Sequence, residues 1–151
     1  MKSFTLTELM VSLLIFGLLA AGMYSMLATG MSVYMTDSAT LDLQQTTRGA
    51  MDRFIREVRS SRFTVVRPLG ENNDKISFNT PGVIGVQYYI DGTRLVREYP
   101  PGTLTPVADE IQRFKLALNG AMLSVTIQAG RSFYQRPLIF SLTEQVRLRN
   151  E

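Results

Sequence analysis

Phe4-Thr5-Leu6-Thr7-Glu8, followed by the apolar run from Leu9 to Ala28, decides how the rest of the chain is read. At about 1.5 Å per helical residue, such a run reaches about 30 Å, the thickness of a bilayer's hydrocarbon core. One carboxylate, Glu8, stands at the mouth of that segment. An acid placed there must neutralise, find a partner or reach the headgroups, which makes it a functional candidate by default.

Three accounts of residues 1–30 compete. A cleaved secretory signal has a small-residue site in Ala20-Ala21-Gly22. Against it, the charged n-region is Lys2 alone, Glu8 lies where such signals avoid acids, and the apolar run continues through Met23, Tyr24, Met26 and Leu27. A plain transmembrane anchor suits the flanks, with Lys2 inside and Asp37 and Asp42 outside. The third account adds a cut on the cytoplasmic side of such an anchor, and it rests on what the order of residues from Phe4 to Glu8 resembles.

A basic residue, a small residue, Phe-Thr-Leu-x-Glu and an unbroken apolar helix resemble the class III signal of type IV pilins and type II secretion pseudopilins. The resemblance implies a prepilin peptidase that cuts between Ser3 and Phe4 and N-methylation of the new Phe4 amine. Ser3 stands where the family commonly has glycine. The resemblance also gives Glu8 an assembly role: its carboxylate would meet the cationic amine of a neighbouring subunit and set axial register. A buried pair of this kind adds specificity more than stability. Pilin helices often carry a glycine near Gly17 and a proline near Ser25; this chain has the glycine and lacks the proline. A mostly continuous helix is therefore expected, with Gly17 and Gly22 bounding its most flexible stretch.

Composition narrows the chemistry. The chain of 151 residues has no cysteine and no histidine. Disulfides and thiolate metal sites are thereby excluded, as are histidine general bases and histidine metal ligands. The net charge is a mild +3, carried by thirteen arginines rather than a lysine-rich tail. This is a weak footprint for nucleic acid.

The helix is expected to continue to residue 62, with Leu41, Met51, Phe54, Ile55 and Val58 as a buried stripe. Arg48, Arg53, Arg56, Arg59 and Arg62 give it a basic side. That side reads either as a solvated face, with Arg53 pairing Glu57 at i, i+4, or as a contact for an acidic partner or DNA. From Phe63 the period changes to two. Thr64–Arg67, Lys75–Asn79, Gln87–Ile90, Arg94–Glu98, Phe114–Leu118, Leu123–Ile127 and Leu138–Leu148 are strand candidates. Asp91-Gly92-Thr93 and Asn119-Gly120 are hairpin turns. Gly70–Asp74 and Tyr99–Pro106 read as loops. The fold class is α+β: a long N-terminal helix, transmembrane over residues 9–28, packed on a C-terminal antiparallel sheet. The expected organisation is a leader at 1–3, the helix at 4–62 and the sheet domain at 63–151.

The pilin resemblance extends beyond the signal. Met51-Asp52-Arg53-Phe54-Ile55-Arg56-Glu57-Val58-Arg59, Tyr89 to Arg97 and Val146 to Asn150 are similar to stretches of PilW-type minor pilins and J-type minor pseudopilins.

No constellation points to catalysis. Asp109-Glu110 is the only adjacent acidic pair and reads as the start of a strand rather than a paired-carboxylate site. Glu71, Asn72, Asn73 and Asp74 offer oxygens without the spacing of a calcium loop. Gly82-Val83-Ile84-Gly85 lacks the lysine of a phosphate loop. The expectation is a non-enzymatic subunit with no metal and no cofactor. Its partners would be other pilin or pseudopilin subunits, the prepilin peptidase, an inner-membrane assembly platform and the bilayer. The resemblance implies a single-pass bacterial inner-membrane location, the amino terminus cytoplasmic and the sheet domain outside, before entry into a filament. Two roles stay open: an assembly subunit at filament initiation or tip, and a binding module such as an adhesin or DNA receptor.

Overall fold

The computed structural model describes residues 5–133 and 136–148. Ser3 and Phe4 lie outside the described residues. The chain divides into two compact units, Met1–Ser38 and Ala39–Glu151.

The first unit is helical, part of the helix α1 (Leu6–Arg59). It starts on a reciprocal cap. The Thr5 amide donates to Glu8 Oε2 at 3.4 Å, and the Glu8 amide donates to Thr5 Oγ1 at 3.4 Å. This is the capping box, which satisfies amides that have no partner inside the helix. The apolar side chains that follow are exposed, Leu9, Leu13, Phe16 and Leu27 among them. Two hydroxyls in or just beyond the run are satisfied internally, since Ser12 Oγ donates to the Glu8 carbonyl and Thr29 Oγ1 to the Ser25 carbonyl. The helix is long and apolar enough to cross a membrane by length and composition. It runs through Gly17 and Gly22 without a break.

In the second unit, α1 buries Leu43, Thr47, Ala50, Met51, Phe54, Ile55 and Val58. These fall at helical spacing on one face. Leu41, assigned to that stripe from sequence, is 56% exposed. At 100° per residue it points about 160° away from Leu43. The helix also stops sooner than expected. The Ser61 amide bonds the Val58 carbonyl, Ser60 Oγ bonds the Glu57 carbonyl, and residue 62 already begins a strand.

Two antiparallel sheets follow, where the sequence suggested one. The first has five strands in sequential order: β1 (Arg62–Pro68), β2 (Asp74–Thr80), β3 (Val83–Asp91), β4 (Arg94–Glu98) and β5 (Leu104–Ala108). The second is the meander β6 (Ile111–Asn119), β7 (Met122–Phe133), β8 (Arg136–Arg147). Both turns expected from glycine form: Asp91 pairs with Arg94 and Asn119 with Met122, with Gly92 and Gly120 at φ of +64° and +59°. Glycine reaches that region without the Cβ clash that penalises other residues. β5 corrects the loop assignment of Tyr99–Pro106. Pro106 sits in this strand, which is an edge, where a residue lacking an N–H is tolerated.

The sheets join through the loop before β2. The Asn72 carbonyl accepts the Phe114 amide at 2.8 Å, and Asp74 Oδ2 accepts the Leu116 amide at 2.7 Å. Lys115 Nζ closes on Asp74 Oδ1 at 2.9 Å, so this buried carboxylate is fully used. Asn73 bonds both polar groups of Ile90 at 3.0 Å. The core lies over that seam. The Phe54 ring meets Tyr88 of β3 at 5.1 Å and Phe114 of β6 at 5.4 Å, both edge-to-face. One helical side chain thus binds both sheets, in the arrangement that aromatic quadrupoles favour.

Candidate functional site

Two regions carry the residues singled out from sequence. At the start of α1, Glu8 is exposed and bonded to Thr5. The pattern Thr5-x-x-Glu8 was a legible capping signal, and a helix start explains part of the motif without any partner. It leaves the second carboxylate oxygen uncommitted among the described residues. Gly17 and Gly22 have open space where a Cβ would sit, with no heavy atom of the chain within 4 Å. Nothing inside the chain therefore requires these glycines.

The second region is the last two turns of α1 and the strands beside it. Glu57, expected to pair with Arg53, pairs instead with Arg97 of β4. Arg97 Nη2 donates to Glu57 Oε1 at 2.6 Å, and its Nε lies 3.0 Å from both carboxylate oxygens. The Tyr88 hydroxyl donates to the same carboxylate. Burial alone would raise the Glu57 pKa, but the bonds from Arg97 and Tyr88 outweigh it and hold the carboxyl below its ordinary value. Burial and the adjacent Glu57 charge push the Tyr88 phenol well up. The group is thus a carboxylate, a guanidinium and a neutral phenol. Desolvating the ion pair costs free energy, and the three hydrogen bonds from Arg97 and the one from Tyr88 offset that cost.

Arg53 and Arg56 are exposed and make no ion pair among the described residues. With Glu57 and Arg97 they line an open recess of about 610 Å³. Arg59 and Arg56 line a smaller one with Asp52, Ile55 and Glu144. Arg56 and Arg59 also lie in the last turn, where cations suit the helix dipole. Arg48 is exposed and stands apart from both recesses. The larger recess is cationic, with its one acid, Glu57, already paired to Arg97, whereas Asp52 and Glu144 offset the arginines of the smaller one. It suits carboxylates or phosphates and offers no nucleophile or proton shuttle. Sequence reasoning missed Arg97 and Tyr88, which lie far from Glu57 along the chain.

The other sequence candidates have structural employment. Asp109 pairs with Arg94 at 2.9 Å and Glu110 faces Arg131 at 3.5 Å, so the two acids do not converge on one point. Asn73 and Asp74 spend their oxygens on the seam between sheets, and no cluster of three metal-binding acids occurs among the described residues.

Residues 1–24 match the prokaryotic N-terminal methylation motif. No curated protein and no solved structure matches the chain. The motif is prepilin-type and supports a type IV pilin or pseudopilin family. It indicates a subunit processed by a prepilin peptidase and associating with other pilin subunits, and its family is one of structural subunits, not enzymes. The long apolar helix on antiparallel sheets is a pilin-like α+β architecture that fits inner-membrane anchoring followed by filament entry.

Proposed function

We propose that this chain is a minor pilin or minor pseudopilin of the PilW or J type that takes part in initiating or capping a filament. The observation that supports the pilin or pseudopilin part of this reading is the methylation motif at residues 1–24 at the head of a helix with exposed apolar side chains, while the subgroup rests on the likeness of Met51–Arg59, Tyr89–Arg97 and Val146–Asn150 alone. Such a surface is unfavourable in water by about 25 cal/mol per Å², so it belongs in lipid or against other helices. Glycines at 17 and 22 with open Cβ positions suit close approach by a neighbouring helix.

The mechanism follows from these parts. The precursor inserts with its amino terminus cytoplasmic and the sheet domain outside. The peptidase hydrolyses the Ser3–Phe4 peptide bond, releasing Met1–Ser3, and a methyl group is added to the Phe4 amine. With help from an assembly platform, the apolar helix moves from lipid into a bundle of like helices. Glu8 then exchanges its helix-capping contact for the cationic amine of a neighbour. The sheet domain stays outside and selects partners.

A binding role at a filament tip, as adhesin or DNA receptor, is the second reading. The recess flanked by unpaired Arg53 and Arg56 favours it. Intact-mass measurement of membrane protein, from hosts with and without a prepilin peptidase, tests the first step common to both. Loss of Met1–Ser3 with gain of one methyl group, only where the peptidase is present, is expected. An unprocessed chain in both hosts would reduce the segment to an ordinary anchor.

A further inference from the structure

Among the described residues the second unit has four sheet edges, of which β5 and β6 are closed to further pairing and β1 is interrupted. β1 has a register break between Arg62 and Val65 and ends on Pro68. β5 is five residues long and contains Pro106. On β6, the outward amides of Phe114 and Leu116 are taken by Asn72 and Asp74. Short length, proline, irregular register and covering are the usual defences of an edge.

β8 has Pro137 near its start but none of them from Ile139 to Gln145. It pairs with β7 over twelve residues without a register shift and, among the described residues, has no strand on its other side. The Leu148 amide bonds the Ala121 carbonyl, so in this unshifted ladder the even-numbered residues turn their backbone groups toward β7. The odd residues Ile139, Ser141, Thr143 and Gln145 turn theirs outward. All four are exposed and uncharged, and Ile139 is 58% exposed. On the core face of the same strand, Leu138, Phe140 and Leu142 are only half covered.

We propose that the outer edge of β8 is a strand-addition site, filled by an extended segment of a different subunit with apolar residues at alternate positions. This rests on the filament reading for the kind of partner. The strand chemistry follows from the free backbone row, and the apolar requirement from the half-covered Leu138–Leu142 row. Two copies of β8 do not satisfy it. Arg131, opposite Leu138, bonds Asp42 and the Ala39 carbonyl, while Glu144 lies beside Asp52 and Arg56. Helical residues 39–59 therefore run in the same direction as β8. An antiparallel β8–β8 pair would oppose the two helices, which does not suit subunits sharing one filament polarity. A parallel pair would turn one sheet over and set its Ser141–Gln145 side beside the other's apolar row. Of the remaining edges of a second copy, β5 and β6 are closed and β1 is interrupted by its register break.

The test uses the full chain in cells that make the complete assembly, with a photo-crosslinking residue at Gln145. The expected product is an adduct to another prepilin-type subunit, mapped by mass spectrometry to a segment of alternating apolar residues. Ser141→Pro removes one outward amide and leaves the β7 ladder intact, and it should lower the adduct about tenfold, whereas Ser141→Ala should not change it. Ile139→Lys with Thr143→Lys gives the same loss by charging the edge. A self-adduct, no adduct, or an adduct indifferent to all three changes overturns the proposal. The mass of the chain in the same sample reports processing separately, so a failed edge and a failed filament reading give different results.

Discussion

Glu57 shows how one residue's position sets a pH dependence. Its carboxyl is held below the ordinary 4.5, despite burial, by Arg97 and Tyr88. A depressed folded pKa means that the ionised form stabilises the fold above the unfolded value. That contribution is complete above pH 4.5 and is lost as pH falls through the lower folded value. Tyr88 has the opposite sign: its raised pKa favours the neutral phenol, and its share fades only as pH rises beyond 10. Glu57→Gln keeps the shape and removes the charge, leaving Arg97 without its counter-ion. Thermal or urea unfolding of the full chain in detergent should show a loss of about 2 kcal/mol at pH 7. The difference between variant and parent should shrink at pH 3. A constant difference across that range would mean that the ion pair contributes no charge-dependent stability.

At the scale of elements, the stripe on α1 is the testable object. Phe54 is fully buried and touches aromatic rings of both sheets. Phe54→Ala should cost about 3–5 kcal/mol through lost contacts and a cavity, while Leu41→Ala should stay within about 0.5 kcal/mol. Equal effects in denaturant unfolding would put the helix in a different rotation. What the sequence revealed divides along the same physical lines. Period-two alternation and the glycine turns at 92 and 120 are local signals, and they located β1 through β4 and β6 through β8. Pro106 hid β5, because the feature that disqualifies a central strand is permitted at an edge. How the two sheets join depends on Asn72 and Asp74 reaching β6, contacts between residues some forty positions apart that no local pattern encodes. The Arg97 partner of Glu57 was hidden for the same reason, and the i, i+4 rule supplied Arg53 instead. By contrast, Thr5-x-x-Glu8 is short-range, and both the cap and the methylation motif could be read from it.

For the whole molecule, the decisive question is whether Glu8 serves its own helix or a neighbour. The capping contact needs an acceptor oxygen, which an amide also supplies; pairing with a neighbour's ammonium needs the negative charge. Glu8→Gln therefore separates the two roles. It should leave α1 folded, with far-UV circular dichroism in detergent unchanged, and leave peptidase processing visible by intact mass. In cells it should abolish incorporation of this subunit, because a neighbouring Phe4 amine would enter the apolar bundle without a counter-ion, and breaking such a pair costs about 3–5 kcal/mol. Glu8→Ala should lose incorporation too and add a small loss of helix at the first turn, about 0.5 kcal/mol, because the Glu8 half of the capping box goes while Thr5 Oγ1 still accepts the residue-8 amide. Normal incorporation of Glu8→Gln together with failure of Glu8→Ala would assign the residue to its own helix. Register in the filament would then have to come from the sheet domain, where the β8 edge is the surface left open.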